Sequence, residues 1–98
     1  MTMLRSANFE VAGKVQGMLA CHCTKDEARR LGVCGWVRNT SKGTVEGIIQ
    51  GSPDKIDSMK HWLSNVGSPN SVISSCKFTN EKTIDDLEFE EFSIKKTV

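Results

Sequence analysis

The sequence of 98 residues predicts a single domain of the α+β class. Segments whose apolar residues alternate with polar ones, as in half-buried strands, are interspersed with two segments that carry apolar residues at helical spacing. Glycine or proline flanks most of these segments, as is usual where a chain turns. A chain of about 100 residues can bury a core without disulfides or a structural metal.

The first predicted strand, Ala7–Ala12, is followed by a stretch that contains two glycines. Gly13 and Gly17 can both adopt a positive φ. A turn of this kind that leads directly into a helix collects unpaired backbone N–H groups at the positive end of the helix dipole. The loop bracketed by Gly13 and Gly17 therefore predicts a cradle for a phosphate or a carboxylate.

The start of the first helix has two interpretations. Thr24 and Glu27 form a capping box, with threonine as N-cap and glutamate at the third helical position. An apolar stripe supports an earlier start, near Ala20 or Cys21, and consists of Ala20, Cys23, Ala28 and Leu31. Both interpretations end the helix at Gly32, in the position that follows the last turn.

A hairpin is predicted next, with strands at Val33–Thr40 and Thr44–Gly51. Its link, Ser41–Gly43, ends in a glycine that is free to take a left-handed conformation. The second helix then begins at Ser52–Pro53, with serine as N-cap and proline at the first helical position.

The second helix carries apolar residues at helical spacing, namely Ile56, Met59, Leu63 and Val66. It ends at Gly67–Pro69. Beyond it the sequence predicts a strand at about Val72–Asn80, a helical turn at Thr83–Leu87 and a last strand at about Glu88–Lys95. The acidic run Asp85–Glu91 is interpreted as a solvated turn and edge strand, where charge opposes edge-to-edge pairing.

The charge balance argues against several classes of partner. Thirteen basic and twelve acidic side chains leave a formal charge of +1, which gives no electrostatic basis for binding nucleic acid or an acidic membrane surface. The sequence has no apolar run long enough to span a membrane, and Met1–Asn8 is too short and polar for a signal peptide. We therefore expect a cytoplasmic protein that binds neither nucleic acid nor membranes.

The four cysteines are expected to be free thiols, because the sequence has no secretory signal; they are Cys21, Cys23, Cys34 and Cys76. Zinc is disfavoured, since a single residue separates the first two, fewer than in a zinc knuckle. The segment His22–Arg29 matches the bare His-Cys-x₅-Arg pattern of cysteine phosphatases. However, Asp26 and Glu27 would place two negative charges in the phosphate loop. We expect no metal and no cofactor.

Two motifs carry a family resemblance, GKVQG at 13–17 and GWVRNTSKGTVEG at 35–47. With TKDEARRLG, MKHWLSNVGSP and FTNEKTI, they make the chain from about Phe9 to Ile94 resemble the acylphosphatase family. The resemblance implies a ferredoxin-like α/β sandwich, in the order β-α-β-β-α-β plus a terminal strand, with both helices on one face of an antiparallel sheet. It also implies a monomer that hydrolyses the carboxyl–phosphate bond of small-molecule acyl phosphates, without metal or cofactor.

The resemblance also assigns candidate site residues. The phosphate cradle consists of Gly13, Lys14, Val15, Gln16, Gly17, Met18 and Leu19. Asn39 takes the role of orienting water, which an amide can do by accepting through its oxygen and donating through its nitrogen. Catalysis would then rest on positioning and on stabilisation of charge.

One position departs from the family pattern. Where the family has a phenylalanine and then an arginine that grips the phosphate, this chain has Ala20 and Cys21. A neutral thiol is a weak donor, and a thiolate would repel the phosphate. Since an arginine in phosphoryl transfer is worth about 10³–10⁵ in rate, we expect strongly weakened activity. Lys14 is the best substitute cation.

Two alternatives use the same fold. The first is a non-catalytic module that still binds an anion, such as an acyl phosphate or a carboxylate or phosphate of a protein. The second is a thiol-based sensor in which the helix dipole makes Cys21 the most reactive thiol and Cys23 resolves it. His22 is interpreted as a solvated helix residue unless the helix start shifts to turn it inward.

Overall fold

A sheet of five strands with two helices packed against it forms the fold. The computed structural model describes residues 3–14, 17–67 and 72–96. Its elements in chain order are β1 Leu4–Lys14, α1 Gly17–Leu31, β2 Cys34–Asn39, β3 Val45–Gly51, α2 Pro53–His61, β4 Val72–Ile84 and β5 Phe92–Ile94. A π-helical turn, Trp62–Val66, extends α2. Among the described residues, no helix is long and apolar enough to cross a membrane.

The strand order is β4-β1-β3-β2-β5. The pairs β1–β3, β1–β4 and β2–β3 are antiparallel, whereas β5 pairs with β2 in parallel. The predicted ferredoxin-like α+β fold is thus confirmed. The sheet is antiparallel over its first four strands, as predicted, and becomes mixed where the terminal strand joins it.

The core lies between the helices and one face of the sheet. On β1 the alternation predicted from the sequence is present, with Ala7, Phe9 and Val11 all facing the core. The ring of Phe9 lies over Gly47 on β3, where a Cβ atom would come within 2.8 Å of Phe9 Cζ. Each helix contributes buried residues, which are Ala20, Cys21, Thr24 and Ala28 from α1 and Ile56 and Met59 from α2.

The helix α1 begins at Gly17, earlier than either interpretation of the sequence. Thr24 is not an N-cap: it is buried within the helix, and its hydroxyl donates to the carbonyl oxygen of Ala20 at 2.7 Å. The capping-box prediction is therefore wrong, because this threonine bonds back along the helix instead of capping it. The predicted end is correct, since Gly32 has a φ of +78° and its N–H donates to Arg29.

The second helix follows its predicted start. Pro53 opens α2, although the Ser52 hydroxyl bonds to the Asp54 carboxylate instead of capping a backbone amide. The predicted stripe is wrong at Val66, which is 57% exposed. The π-helical turn explains this, because the N–H of Gly67 donates to Trp62 and the wider turn rotates Val66 away from the core. The rest of the predicted helix end, Ser68–Pro69, lies outside the described residues.

The C-terminal part differs most from the prediction. The expected helical turn at Thr83–Leu87 is wrong, because β4 continues to Ile84 and pairs with the start of β1. The last strand is limited to Phe92–Ile94. The acidic run between these strands is an irregular, largely exposed connection, so the part of the prediction that made it an edge strand is wrong.

Candidate functional site

The register of the sheet brings two parts of the predicted site to the same end. Val11 on β1 pairs with Val45 on β3, and Val45 pairs with Asn39 on β2. Directly paired residues point to the same face of a sheet. Because Val11 and Val45 are buried under the helices, the half-buried Asn39 also lies on the helix face. Gly13 follows Val11 on β1, at that same end.

The predicted cradle is divided between a strand and a helix. Gly13 and Lys14 are the last residues of β1, and the backbone of Gly17, Met18 and Leu19 forms the first turn of α1. Val15 and Gln16 lie outside the described residues, as do the side chains of residues 14–19. The first N–H groups of a helix lack intrahelical partners and meet the positive end of its dipole. The anion-sized concavity remains a prediction.

Gly13 fixes the end of β1 against the neighbouring strand. Its φ is +132°, as predicted for a glycine with positive φ. A Cβ atom at this position would lie 2.2 Å from the carbonyl oxygen of Val72 and 2.6 Å from the nitrogen of Ser74. The register of β1 against β4 shifts here, so that Ser74 is an extra residue on β4. Only glycine permits this approach of the two backbones.

Cys21 is part of the core. It lies in the second turn of α1 with no exposed surface, and burial raises the pKa of its thiol. Both facts contradict the expectation that this is the most reactive thiol, because the helix starts earlier than Cys21 and the buried thiol stays protonated. Burial also raises the pKa of the Cys34 and Cys76 thiols.

Two basic side chains, Arg38 and His22, are candidate cations for the site. Arg38 precedes Asn39 on β2 but faces the opposite side of the sheet, where its Nη2 lies 2.6 Å from an oxygen of Glu46. Its guanidinium lies 4.9 Å from the ring centre of Trp36. Arg38 is thus held away from the cradle. His22 is exposed, in agreement with the solvated interpretation.

A chain of hydroxyl groups supports the hairpin that follows Asn39. The hydroxyls of Thr40 and Thr44 are 2.6 Å apart, and the Thr44 hydroxyl donates to Glu10 on β1 at 2.8 Å. The Thr40 N–H donates to the Thr44 carbonyl at 2.9 Å, and Gly43 closes the turn with a φ of +81°. Sequence reasoning missed this network. The two threonines that flank the turn, Thr40 and Thr44, were the feature of the sequence that could have predicted it.

In residues 3–14, 17–67 and 72–96, no group of three or more histidine, cysteine, aspartate or glutamate side chains could hold a metal ion. All four cysteines are free thiols, as expected from the sequence.

The family model and two curated relatives that match this chain are all acylphosphatases. The family model for acylphosphatase matches residues 7–94. The chain is 58% identical over 92 residues to acylphosphatase-2 of Homo sapiens and 55% identical to that of Bos taurus, covering 94% of this chain and 93% of each relative.

Solved structures show the same fold. The acylphosphatase of Bacillus subtilis has a TM-score of 0.82 at 30% identity, with 93% of this chain and 98% of that chain covered. The acylphosphatase of Coxiella burnetii has a TM-score of 0.79 at 29% identity, with 94% and 93% covered.

Proposed function

The chain belongs to the acylphosphatase family, and we propose that it is a hydrolase that cleaves the carboxyl–phosphate bond of small acyl phosphates. The products are a carboxylate and inorganic phosphate. Its activity is strongly weakened because Cys21 stands where the family has its phosphate-binding arginine. The reaction as proposed uses no metal and no cofactor.

The proposed mechanism combines anion binding with the orientation of water. The backbone amides of Gly13–Leu19 bind the phosphoryl oxygens, assisted by the dipole of α1. Asn39 holds a water molecule that attacks phosphorus as the bond from phosphorus to the carboxyl oxygen breaks. The leaving carboxylate carries the electron pair of that bond, and the proton lost by water passes to solvent or to the phosphate formed. The barrier is lowered by positioning and by stabilisation of charge on the phosphoryl oxygens.

The observation that carries the proposal is the register that joins β1, β3 and β2. It aligns Asn39 with Val11, two residues before the start of the cradle at Gly13. A water-orienting amide and an anion-binding backbone are needed at one place, and the register brings their strands to one end of the sheet on the helix face.

The weakened activity is supported by the burial of position 21. An arginine there would have to keep its charge in contact with solvent or an anion, since an unpaired buried charge is costly. A thiol can be buried, and Cys21 is. The resemblance to the family places the helix start near Ala20 or Cys21, whereas here α1 starts at Gly17. We infer that loss of the arginine converts this position from a phosphate ligand into a core residue.

The test is the hydrolysis of acetyl phosphate by the parent chain and by Asn39→Ala. We expect slow turnover by the parent and a further fall in kcat of about 10²-fold in the variant, with little change in KM, because one group aimed at the reacting atoms is lost. Asn65→Ala is the matched control, since Asn65 is an exposed helix residue that bonds only to His61 in the described structure. Its kcat should equal that of the parent.

A non-catalytic anion-binding module is the second candidate. The early start of α1 favours it, because the helix amides remain able to bind an anion while the buried Cys21 supplies no charge. Titration with inorganic phosphate separates the two candidates. Phosphate binding by a chain that hydrolyses acetyl phosphate no faster than buffer would reject the enzyme and favour the module. The thiol-sensor alternative is weakened by the burial and raised pKa of Cys21.

The proposed enzyme is a cytoplasmic monomer. The four free thiols suit a reducing compartment, and the near-zero net charge gives no reason to expect a nucleic acid or an acidic membrane as partner.

A further inference from the structure

Glu10 lies on the face of the sheet opposite the helices, beside other charged residues. Glu10 on β1 is paired directly with Glu46 on β3, and like charges in such a pair lower stability. Glu46 is neutralised by Arg38. Glu10 instead accepts a hydrogen bond from the Thr44 hydroxyl at 2.8 Å. On its other side Glu10 is paired directly with Lys77 of β4, so its carboxylate lies between a like and an opposite charge while its hydrogen bond is made with Thr44.

The carboxylate of Glu10 sets the direction of the hydrogen bonds in the hairpin. An ionised carboxylate only accepts, so the single hydroxyl proton of Thr44 points to Glu10. In the 2.6 Å contact between the two threonines, Thr40 must then be the donor. The proton of Thr40 is thereby committed to Thr44, and its lone pairs are free to accept from the backbone.

Those lone pairs hold the turn that follows Asn39. The Thr40 hydroxyl accepts from the N–H of Lys42 and from the N–H of Thr44, both at 3.3 Å. Glu10 therefore orders the backbone of the residue next to Asn39, although it lies on another strand and on the opposite face of the sheet. Glu10 also lies three residues before Gly13 on β1, so it connects the strand that leads to the cradle with the hairpin that follows the water-orienting amide.

We infer that Glu10 is a positioning residue for Asn39, acting through the hydroxyls of Thr44 and Thr40. This inference rests on the proposed function, in which Asn39 orients the attacking water. Glu10 does not touch the substrate. Its loss leaves phosphate binding intact and lets the Asn39 amide move out of line with the reacting atoms, and a misplacement of about 1 Å costs roughly 10² in rate.

The experiment compares three variants in acetyl phosphate hydrolysis. In Glu10→Ala, we expect kcat to fall by about 10- to 100-fold with KM within about twofold of the parent. In Glu10→Gln, the amide oxygen can still accept from Thr44, so most of kcat returns. Glu46→Ala is the matched control, because it removes the neighbouring carboxylate of the same face without touching the hydroxyl chain, and its kcat should stay within about twofold of the parent.

The inference is overturned if Glu10→Ala retains the parent kcat, if KM accounts for the loss, or if Glu10→Gln is as impaired as Glu10→Ala. Equal impairment of Glu46→Ala would also reject it, because the effect would then be a general one of charge on this face.

A second measurement keeps the inference separate from the proposed function. If the parent chain does not hydrolyse acetyl phosphate, the proposed function fails. The positioning role of Glu10 is then tested by the side-chain amide signals of Asn39 in nitrogen-15 NMR spectra. We expect Glu10→Ala to shift and broaden those signals, with Glu10→Gln and Glu46→Ala close to the parent. Unchanged Asn39 signals in Glu10→Ala would contradict the inference.

Discussion

At position 21, an arginine as in the family pattern and the cysteine of this chain need different surroundings. An arginine that binds phosphate is charged at every accessible pH and must stay in contact with its ligand or with water. A thiol behaves as a small hydrophobic group with a weak S–H donor, so it can pack in a core. Cys21 does so, with no exposed surface and a raised pKa. In the proposed function, cysteine at this position removes a phosphate ligand, and the observed thiol is a core residue.

The chemical reactivity of the cysteines follows from this burial. In the folded protein at neutral pH, we expect iodoacetamide to label Cys21 last and Cys23 before it, because Cys21 is inaccessible and its raised pKa keeps the thiolate scarce. Cys23 is half-buried. Mass mapping after limited labelling measures the order. In denaturant all four cysteines should react alike. Labelling of Cys21 in the folded state as fast as Cys23 would contradict the core assignment.

Among the individual elements, the end of β1 lies against β4 through one close backbone contact, at Gly13. In Gly13→Ala the added Cβ would overlap the Val72 carbonyl, and the positive φ of +132° would add strain. We expect a loss of about 1–3 kcal/mol in the free energy of unfolding, measured with urea.

A matched control separates the overlap from the strain. Gly43→Ala also replaces a glycine of positive φ, but no atom lies within 4 Å of its added Cβ. It should cost less than Gly13→Ala. Equal losses in the two variants would show that the contact between β1 and β4 has no energetic role.

The differences between predicted and observed elements have local physical causes. The capping box at Thr24 failed because the same hydroxyl can bond to a carbonyl one turn back in the helix, and sequence alone does not choose between the two bonds. Val66 was assigned to the core by a period of 3.6 residues, and a π-helical turn breaks that period. In both cases a hydrogen bond within the helix, which the pattern of apolar residues does not specify, decides the local structure.

For the whole molecule, the apolar patterns and the turn residues predicted the order of β1, α1, the hairpin and α2, but neither the start of α1 at Gly17 nor the exposure of Val66. The register was not predictable from those patterns. It depends on long-range pairs such as Val11 with Val45, and it aligns Asn39 with the strand that leads to the cradle. The contact of Glu10 with Thr44 likewise joins residues far apart in sequence. The predicted site residues came from the family resemblance, whereas their supporting network required the structure.

In the proposed function, Cys21 limits the activity of an otherwise suitable site. The turnover of acetyl phosphate by Cys21→Arg beside the parent tests this directly. We expect kcat to rise by about 10³-fold or more, by analogy with other phosphoryl-transfer arginines. This rise requires the first turn of α1 to open so that the guanidinium leaves the core, and the larger side chain should lower the free energy of unfolding by about 1–3 kcal/mol.

Cys21→Met controls for that test, because methionine adds length at the same buried position without charge. It should show the loss of stability without the gain in rate. A folded Cys21→Arg chain that is no faster than Cys21→Met would show that Cys21 does not limit the activity. A parent chain that already turns over acetyl phosphate at about 10 s⁻¹ or faster, the range of efficient enzymes, would show the same.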